Sequence, residues 1–236
     1  MIAIFLSRHH LPQYPFIFPA RMSKFLKEHI EFYRQFRSHF QTTGAIAPSG
    51  RFLAKAIIKP MANRDEPARI LEVGPGTGSF TKQIVKQLRP GDQFDLVELN
   101  DAFADMLNHL FETDPSFQQW SSQSKVHVCP IQEFESDEPY DYIISGLPMN
   151  NFSPEVVTEI YEAFERLLKP RGVLTYFEYM CVRPIRRVVS TPNERTRIRE
   201  IDEVISNYLG RYRFRKNWVF ANVPPAWVQH LQFTDA

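Results

Sequence analysis

The chain has 236 residues, of which 43% are hydrophobic and 23% are charged, and its formal net charge is +1. This length and composition indicate one folded domain with an appendage and exclude a chain that is disordered throughout. Taken over the whole chain, the near-zero charge argues against a protein that coats nucleic acid or an anionic membrane.

The charge is, however, unevenly distributed along the chain. Residues 1–61 carry a net charge of +7, residues 62–182 carry −11 and residues 183–236 carry +5. Basic ends around an acidic middle suggest that the ends meet a polyanion while the middle has another role. The simpler alternative is that the basic ends are solvated faces.

The two cysteines, Cys129 and Cys181, are too few for a disulfide framework or a four-ligand zinc site. Both lie in apolar, strand-like runs, so we expect buried free thiols in a reducing cytoplasm. No run approaches the roughly 18 apolar residues that span a bilayer. We therefore expect a cytoplasmic protein that does not cross a membrane.

The N-terminal part is predicted to stand apart from the rest. Residues 1–21 pass from a short apolar run into two histidines and several prolines, which indicates a ragged extension. Met22 is a second candidate for the start of translation. Residues 22–43 are predicted to form an amphipathic helix, from Ser23 to about Thr42, because apolar side chains recur at helical spacing among lysines and arginines. Such a basic, aromatic helix suits a lipid interface, and docking onto the protein's own domain is the alternative.

From residue 44 to the C-terminus at residue 236, helices and strands alternate. Helices are predicted over Ser49–Lys59, Ser79–Leu88, Ala102–Phe111, Pro154–Leu168 and Glu194–Leu209. Strands are predicted over Ile70–Val73, Phe94–Val97, Val126–Cys129, Tyr142–Ser145, Val173–Tyr179, Arg211–Val223 and Ala226–Phe233. The alternation predicts βαβ units and a parallel sheet, and the short link between the last two strands makes them antiparallel. We expect an α/β, Rossmann-like fold with a seven-stranded, mostly parallel sheet.

The most informative stretch runs from Glu72 to Gly78, where a predicted strand ends in three glycines and a helix follows. Glycines let the backbone approach a ligand closely. The spacing is neither the Gly-x-Gly-x-x-Gly of pyrophosphate binders nor a Walker loop. Twenty residues after Gly78, a second strand ends at Glu98, where a doubly wound sheet presents a carboxylate to ribose hydroxyls. A nicotinamide-type site is the competing interpretation.

These features resemble motif I and its acidic partner in class I S-adenosylmethionine-dependent methyltransferases, whose sheet has the predicted layout. The resemblance implies that Glu72 organises the loop, that the glycines make room, that Glu98 binds the ribose diol and that Gln132 contacts adenine. An acidic domain also suits a cofactor that carries a sulfonium and an ammonium. The expected cofactor-binding set is Glu72, Gly74, Gly76, Thr77, Gly78, Glu98, Leu99, Gln132 and Ser145, without a metal.

The loop Ser145–Pro148 follows the fourth strand, where methyltransferases present the methyl acceptor. In rRNA adenine dimethyltransferases this loop reads Asn-Leu-Pro-Tyr, but here Gly146 and Met149 replace the Asn and the aromatic residue, which weakens a flipped-base interpretation. Together with Gly44-Ala-Ile-Ala-Pro-Ser49, Tyr179 before Pro184-Ile185, and Asn222-Val-Pro-Pro-Ala226, the chain from about Met22 to Phe233 resembles the soluble bacterial phospholipid N-methyltransferase family.

That resemblance implies methylation of phosphatidylethanolamine and its mono- and dimethyl derivatives toward phosphatidylcholine, with S-adenosyl-L-homocysteine as the second product. It implies a monomer associated peripherally with the inner leaflet and anionic lipid, with no nucleic-acid partner. An rRNA adenine N6-dimethyltransferase-like enzyme and a non-catalytic lipid-binding protein are the alternatives.

Aromatic faces attract ammonium groups, so Tyr179 is the first candidate to face the acceptor amine. Tyr176 and Tyr33 follow, and Glu178 is a further candidate. Arginine binds phosphate in a bidentate manner, and either the lipid phosphate or the bilayer surface could be its partner. The expected phosphate-binding residues are Arg183, Arg186, Arg187 and Arg213, and Arg211, Arg213 and Arg215 are predicted to share one face of a strand.

Overall fold

The computed structural model of the protein describes residues 50–62, 64–180, 191–222 and 224–233. The predicted extension and the predicted amphipathic helix therefore lie outside the described residues. So do the candidate residues Tyr33, Arg183, Arg186 and Arg187, together with Cys181.

Seven strands form the sheet that positions the site. They are β1 Arg69–Val73, β2 Gln93–Glu98, β3 Ser124–Val128, β4 Tyr140–Ser145, β5 Leu168–Tyr179, β6 Arg213–Val219 and β7 Ala226–Gln232. Their order in the sheet is β3-β2-β1-β4-β5-β7-β6. Strands β1 to β5 are parallel, and β7 pairs antiparallel with both β5 and β6. This arrangement confirms the predicted Rossmann-like fold with its antiparallel C-terminal strands.

Four of the six described α-helices begin at a residue whose side chain caps them. The six helices are α1 Gly50–Ile57, α2 Thr81–Ile84, α3 Asp101–Thr113, α4 Pro115–Gln118, α5 Pro154–Leu167 and α6 Pro192–Tyr212. The Asn100 side chain accepts hydrogen bonds from two backbone N–H groups at the start of α3, and Ser153 and Thr191 each accept one at the starts of α5 and α6. Such caps satisfy backbone donors that have no partner within the helix.

The core has two halves, one on each face of the sheet. Side chains alternate along a strand, so Ile70 and Leu71 of β1 point to opposite faces. Buried residues of α1 and α3 pack on one face, and buried residues of α5 and α6 pack on the other. We call these the α1–α3 face and the α5–α6 face.

Three predicted elements had wrong boundaries, and one of them, the strand predicted over Arg211–Val223, is observed only over Arg213–Val219. The helix after the glycines has only one α-helical turn before it tightens into a 3₁₀ turn at Val85–Gln87. Strand β5 begins at Leu168, five residues earlier than predicted. Arg211 lies in the last turn of α6, and the pairing of β6 with β7 shifts register between Arg213 and Arg215.

The predicted row of Arg211, Arg213 and Arg215 on one strand face was therefore also wrong. Helix α6 extends past Leu209 because Tyr212, four residues after Tyr208, lies on the same helical face and packs against Phe233 with ring centroids 4.7 Å apart.

Candidate active site

A cleft opens at the carboxyl ends of β1, β2 and β3. It encloses about 530 Å³, including the space open to solvent. Open α/β sheets bind their ligands at this edge. The cleft is lined by Val73, Gly74, Val97, Glu98, Leu99, Cys129, Pro130, Ile131, Gln132, Leu147, Phe152, Val156 and Ile160.

The loop after β1 has the conformation that its glycines were predicted to permit. Gly74 and Gly76 have φ angles of +68° and +57°, in the left-handed region that residues with a Cβ rarely adopt. The Gly74 N–H donates to the carbonyl of Val97 at 2.9 Å, which fixes the loop to the end of β2.

Glu98 joins this glycine loop to the end of β2. Its carboxylate accepts a hydrogen bond from the N–H of Gly76 through one oxygen and from the N–H of Asn100 through the other, both at 2.9 Å. The side chain is almost fully buried but lines the cleft. Each carboxylate oxygen can accept a second hydrogen bond, so Glu98 remains able to receive ribose hydroxyls.

The loop after β4 is held directly against the glycine loop. The Gly146 N–H donates to the carbonyl of Val73 at 2.8 Å. A Cβ at Gly146 would lie 2.6 Å from the carbonyl oxygen of Gly74, so only glycine fits here. The sequence showed Gly146 only as a departure from the RNA-methylating pattern, whereas the structure supplies a steric reason for it.

The other predicted cofactor residues have different environments. Leu99 and Gln132 line the cleft, and Thr77 is half-buried in the glycine loop. Glu72 is fully buried in β1, two residues before Gly74. Ser145 is also fully buried, and its hydroxyl accepts a hydrogen bond from the N–H of Leu147.

Sequence reasoning missed the apolar wall of the cleft. Phe152, Val156 and Ile160 come from α5 and the turn before it. Their helical spacing was visible in the sequence, but not which element they face. Cys129 also lines this wall, and burial raises the pKa of its thiol to about 11, so the thiol stays protonated at neutral pH.

The structure separates the two candidate tyrosines of β5. Tyr176 is fully buried in the core of the α5–α6 face, where its hydroxyl accepts a hydrogen bond from Tyr161 at 2.8 Å, and it does not line the cleft. Tyr179 lies at the end of β5 on the α1–α3 face. Burial raises the pKa of Tyr179, so its hydroxyl remains protonated.

Tyr179 does not line the cleft either, but it belongs to a small aromatic group that reaches Phe80, just after the glycine loop. Its ring centroid lies 5.3 Å from that of Phe177, and Phe177 lies 5.5 Å from Phe80, two residues after Gly78. The candidate Arg213 is exposed at the start of β6, two strands from β5, and is not part of the cleft wall.

Comparison with known proteins agrees with the fold. Residues 70–172 match the family model described as a methyltransferase domain. With the sheet order, the glycine loop and Glu98, this match identifies residues 70–172 as a class I S-adenosylmethionine-dependent methyltransferase domain.

The proteins that this chain resembles include a lipid N-methyltransferase by sequence and two N-methyltransferases by fold. Over 156 residues, the chain is 25% identical to the ornithine lipid N-methyltransferase of Singulisphaera acidiphila. The aligned region covers 66% of this chain and 80% of that protein. Among solved structures, the fold is similar to that of the 1,6-didemethyltoxoflavin-N1-methyltransferase of Burkholderia thailandensis, which was solved with S-adenosylhomocysteine. The TM-score is 0.63 and the sequence identity is 16%, and the superposition covers 92% of this chain and 94% of that one. The N-methyltransferase NodS of Bradyrhizobium japonicum has a TM-score of 0.58 at 11% identity, covering 80% of this chain and 99% of that one.

The cleft residues fit S-adenosylmethionine. The glycine loop leaves its backbone open to a ligand, Glu98 has free acceptor capacity and the wall around Ile131 is apolar. Among the described residues, no group of three or more His, Cys, Asp or Glu side chains is arranged to hold a metal. Within the same residues, every helix is too short or too polar to cross a bilayer.

Proposed function

We propose that this enzyme methylates the amine of a membrane lipid. The proposed acceptors are phosphatidylethanolamine and its mono- and dimethyl derivatives, and the proposed final product is phosphatidylcholine. The relative named ornithine lipid N-methyltransferase supports a lipid amine as the acceptor. The observation that carries the proposal is the aromatic group of Tyr179 and Phe177, which reaches Phe80 just after the glycine loop.

The Tyr179 group suits an acceptor that becomes more cationic with each methyl group. Gly74 borders the cleft, and Phe80, just after the same loop, leads through Phe177 to Tyr179. An ammonium over an aromatic face gains about 0.5–2 kcal/mol. Because Tyr179 keeps its proton, its ring attracts the ammonium without adding a negative charge that would hold a proton on the amine.

The remaining requirements are desolvation and alignment. When bound, the cofactor supplies an electrophilic methyl group, and the acceptor nitrogen must be unprotonated to receive it. Apolar surroundings lower the pKa of an amine, which favours that form. The contact between Gly146 and the glycine loop fixes the acceptor loop relative to the cofactor-binding backbone, and such alignment is the main need of methyl transfer.

The proposal includes the setting of the reaction. The enzyme would work as a monomer on the cytoplasmic side and associate peripherally with the inner leaflet. The excess of basic residues at both ends of the sequence supports this setting, because the cytoplasmic leaflet carries negative surface potential.

Variants at Tyr179 test the proposal. Labelled methyl transfer is measured separately with phosphatidylethanolamine vesicles, RNA and free ethanolamine. We expect label in the vesicles, a loss of about 2-fold to 30-fold in kcat/KM for Tyr179→Ala, and near-normal transfer for Tyr179→Phe, which keeps the ring. Label in RNA alone would support the RNA-methylating alternative. An absence of label despite normal cofactor binding would support the non-catalytic one.

A further inference from the structure

The outer edge of the sheet exposes an unusual number of aromatic side chains. Strand β6 is the last strand of the described sheet. Phe214, Trp218 and Phe220 on and just after it are 51%, 56% and 68% exposed. The rings of Trp218 and Phe220 stack with centroids 5.6 Å apart. We call these three residues the β6 aromatic edge.

The same edge is strongly basic. Residues 204–233 contain no Asp or Glu, but they contain Arg211, Arg213, Arg215 and Lys216. Arg213 and Arg215 are exposed. The Lys216 ammonium lies 3.8 Å from the ring centroid of Trp227 and 5.0 Å from that of Trp218. Cationic and aromatic side chains are therefore interspersed along the strand.

The β6 aromatic edge extends to the end of the sheet that holds the active site. Both β5 and β6 run antiparallel to β7, so they run in the same direction. Val219 pairs with Ala226, which pairs with Tyr179. At a strand spacing of about 4.8 Å, the backbones near Trp218 and Tyr179 are therefore separated by only about 10 Å.

Protection of an edge strand explains only part of this pattern. Exposed charges such as Arg213 and Arg215 prevent edge strands from pairing with other chains. Exposed tryptophan and phenylalanine do not serve that purpose, since they promote association. Aromatic rings beside lysine and arginine are instead the composition that lies at a membrane interface.

We propose that the β6 aromatic edge docks on the surface of an anionic bilayer. Trp218 and Phe220 enter the headgroup region, while Arg213, Arg215 and Lys216 contact lipid phosphates. This inference rests on the proposed function, because it takes the acceptor to be a bilayer lipid. Beyond the proposed function, it identifies the protein surface that holds the carboxyl ends of the strands, where the active site lies, close to that lipid.

Vesicle sedimentation of the full chain without cofactor tests the surface. The vesicles contain phosphatidylcholine with or without phosphatidylglycerol. For the anionic vesicles, we expect a loss of about 30-fold in partitioning for the double variant Arg213→Ala/Arg215→Ala, since each basic residue contributes about fivefold. The variants Trp218→Ala and Phe220→Ala should each reduce partitioning to these vesicles on the order of tenfold.

The controls are Lys125→Ala and Val128→Ala, at exposed residues of the opposite edge strand β3, and they should bind the vesicles normally. Equal losses in both sets, or none in the β6 set, would overturn the proposal.

Fluorescence quenching locates Trp218 directly. The variant Trp120→Phe/Trp227→Phe leaves Trp218 as the single tryptophan of the chain. We expect its emission to be quenched by vesicles that carry brominated acyl chains, and bound protein without quenching would overturn the proposal.

Analytical ultracentrifugation tests a different occupant of the same edge. A dimer that the variant Trp218→Ala dissociates would show that a second copy of the chain covers this edge, and would overturn the proposal. Binding and methyl transfer are measured separately, so normal β6-dependent binding with no transfer to lipid would contradict only the proposed function.

Discussion

Gly146 lies so close to Gly74 that a Cβ on Gly146 would be 2.6 Å from the Gly74 carbonyl oxygen. This contact joins the loop that follows β4 to the loop that follows β1. It places two backbone segments of the site in fixed relation without any side-chain interaction. The geometry of the site therefore depends on a residue that has no side chain.

Substitution of Gly146 should weaken cofactor binding. In Gly146→Ala, the new methyl group overlaps a backbone oxygen, so the two loops must separate. We expect a loss of about tenfold or more in affinity for S-adenosylhomocysteine by calorimetry and a destabilisation of about 1–3 kcal/mol. The matched control is Gly210→Ala in α6, where a Cβ meets nothing within 4 Å and alanine favours the helix. Unchanged affinity in Gly146→Ala would contradict this interpretation.

Glu98→Ala should abolish measurable cofactor binding. The change removes the acceptor of two backbone N–H groups, those of Gly76 and Asn100, and the partner proposed for the ribose. Calorimetry measures the cofactor affinity, and sedimentation measures vesicle binding, which we expect to be retained. The exposed Glu112→Ala serves as the control. Joint loss of both kinds of binding in Glu98→Ala would show that the two sites are not separable.

The ion pair between Arg64 and Asp92 should be important for stability. Both side chains are buried, and the Asp92 carboxylate also accepts hydrogen bonds from the N–H groups of Ala68 and Arg89, each at 2.8 Å. Asp92→Ala leaves a guanidinium buried without its counter-charge, so we expect a loss of about 3–5 kcal/mol in chemical unfolding. In contrast, Glu203→Ala, which breaks an exposed pair with Arg199, should change little. Similar effects of the two variants would argue against this role.

Stability should fall at acidic pH because of His230. Burial, together with Arg215 and Lys59, lowers the pKa of this histidine to about 4. The unfolded chain binds a proton on this histidine near its ordinary pKa of 6.5, but the folded chain does not. The free energy of unfolding is therefore highest above about pH 6.5 and falls as the pH decreases toward 4. The total loss in the free energy of unfolding is about 3 kcal/mol. Unfolding measured across this range should show a smaller pH dependence in His230→Gln, and an identical dependence would exclude His230 as the cause.

Much of the fold could be predicted because its determinants are local. Alternating apolar runs and helical spacing indicated the parallel sheet, and the short link before Ala226 indicated the antiparallel strands. The glycine loop and Glu98 were equally visible, since a turn and a strand end depend on neighbouring residues. The ends of the elements were harder to predict. The arginines from Arg211 to Arg215 have the period of a strand, yet contacts of Tyr212 with Phe233 extend the helix through the first of them.

The parts of the site that could not be predicted depend on contacts between distant segments. The sequence shows that Val156 and Ile160 share a helix face, but not that this face forms a wall of the cleft. The steric need for glycine at position 146 arises from a carbonyl 72 residues earlier in the chain, that of Gly74. In contrast, the separation of Tyr176 and Tyr179 could have been predicted, because residues three apart on a strand point to opposite faces.

Competition between acceptors in one mixture tests the central claim most directly. Purified full-length protein and cofactor labelled in the methyl group are mixed with phosphatidylethanolamine vesicles, RNA and free ethanolamine, and the label is then counted in each fraction. We predict that the label enters the lipid headgroup and appears as methylated phosphatidylethanolamines and phosphatidylcholine. Label confined to RNA or to free ethanolamine would contradict the assignment of a lipid amine as the acceptor.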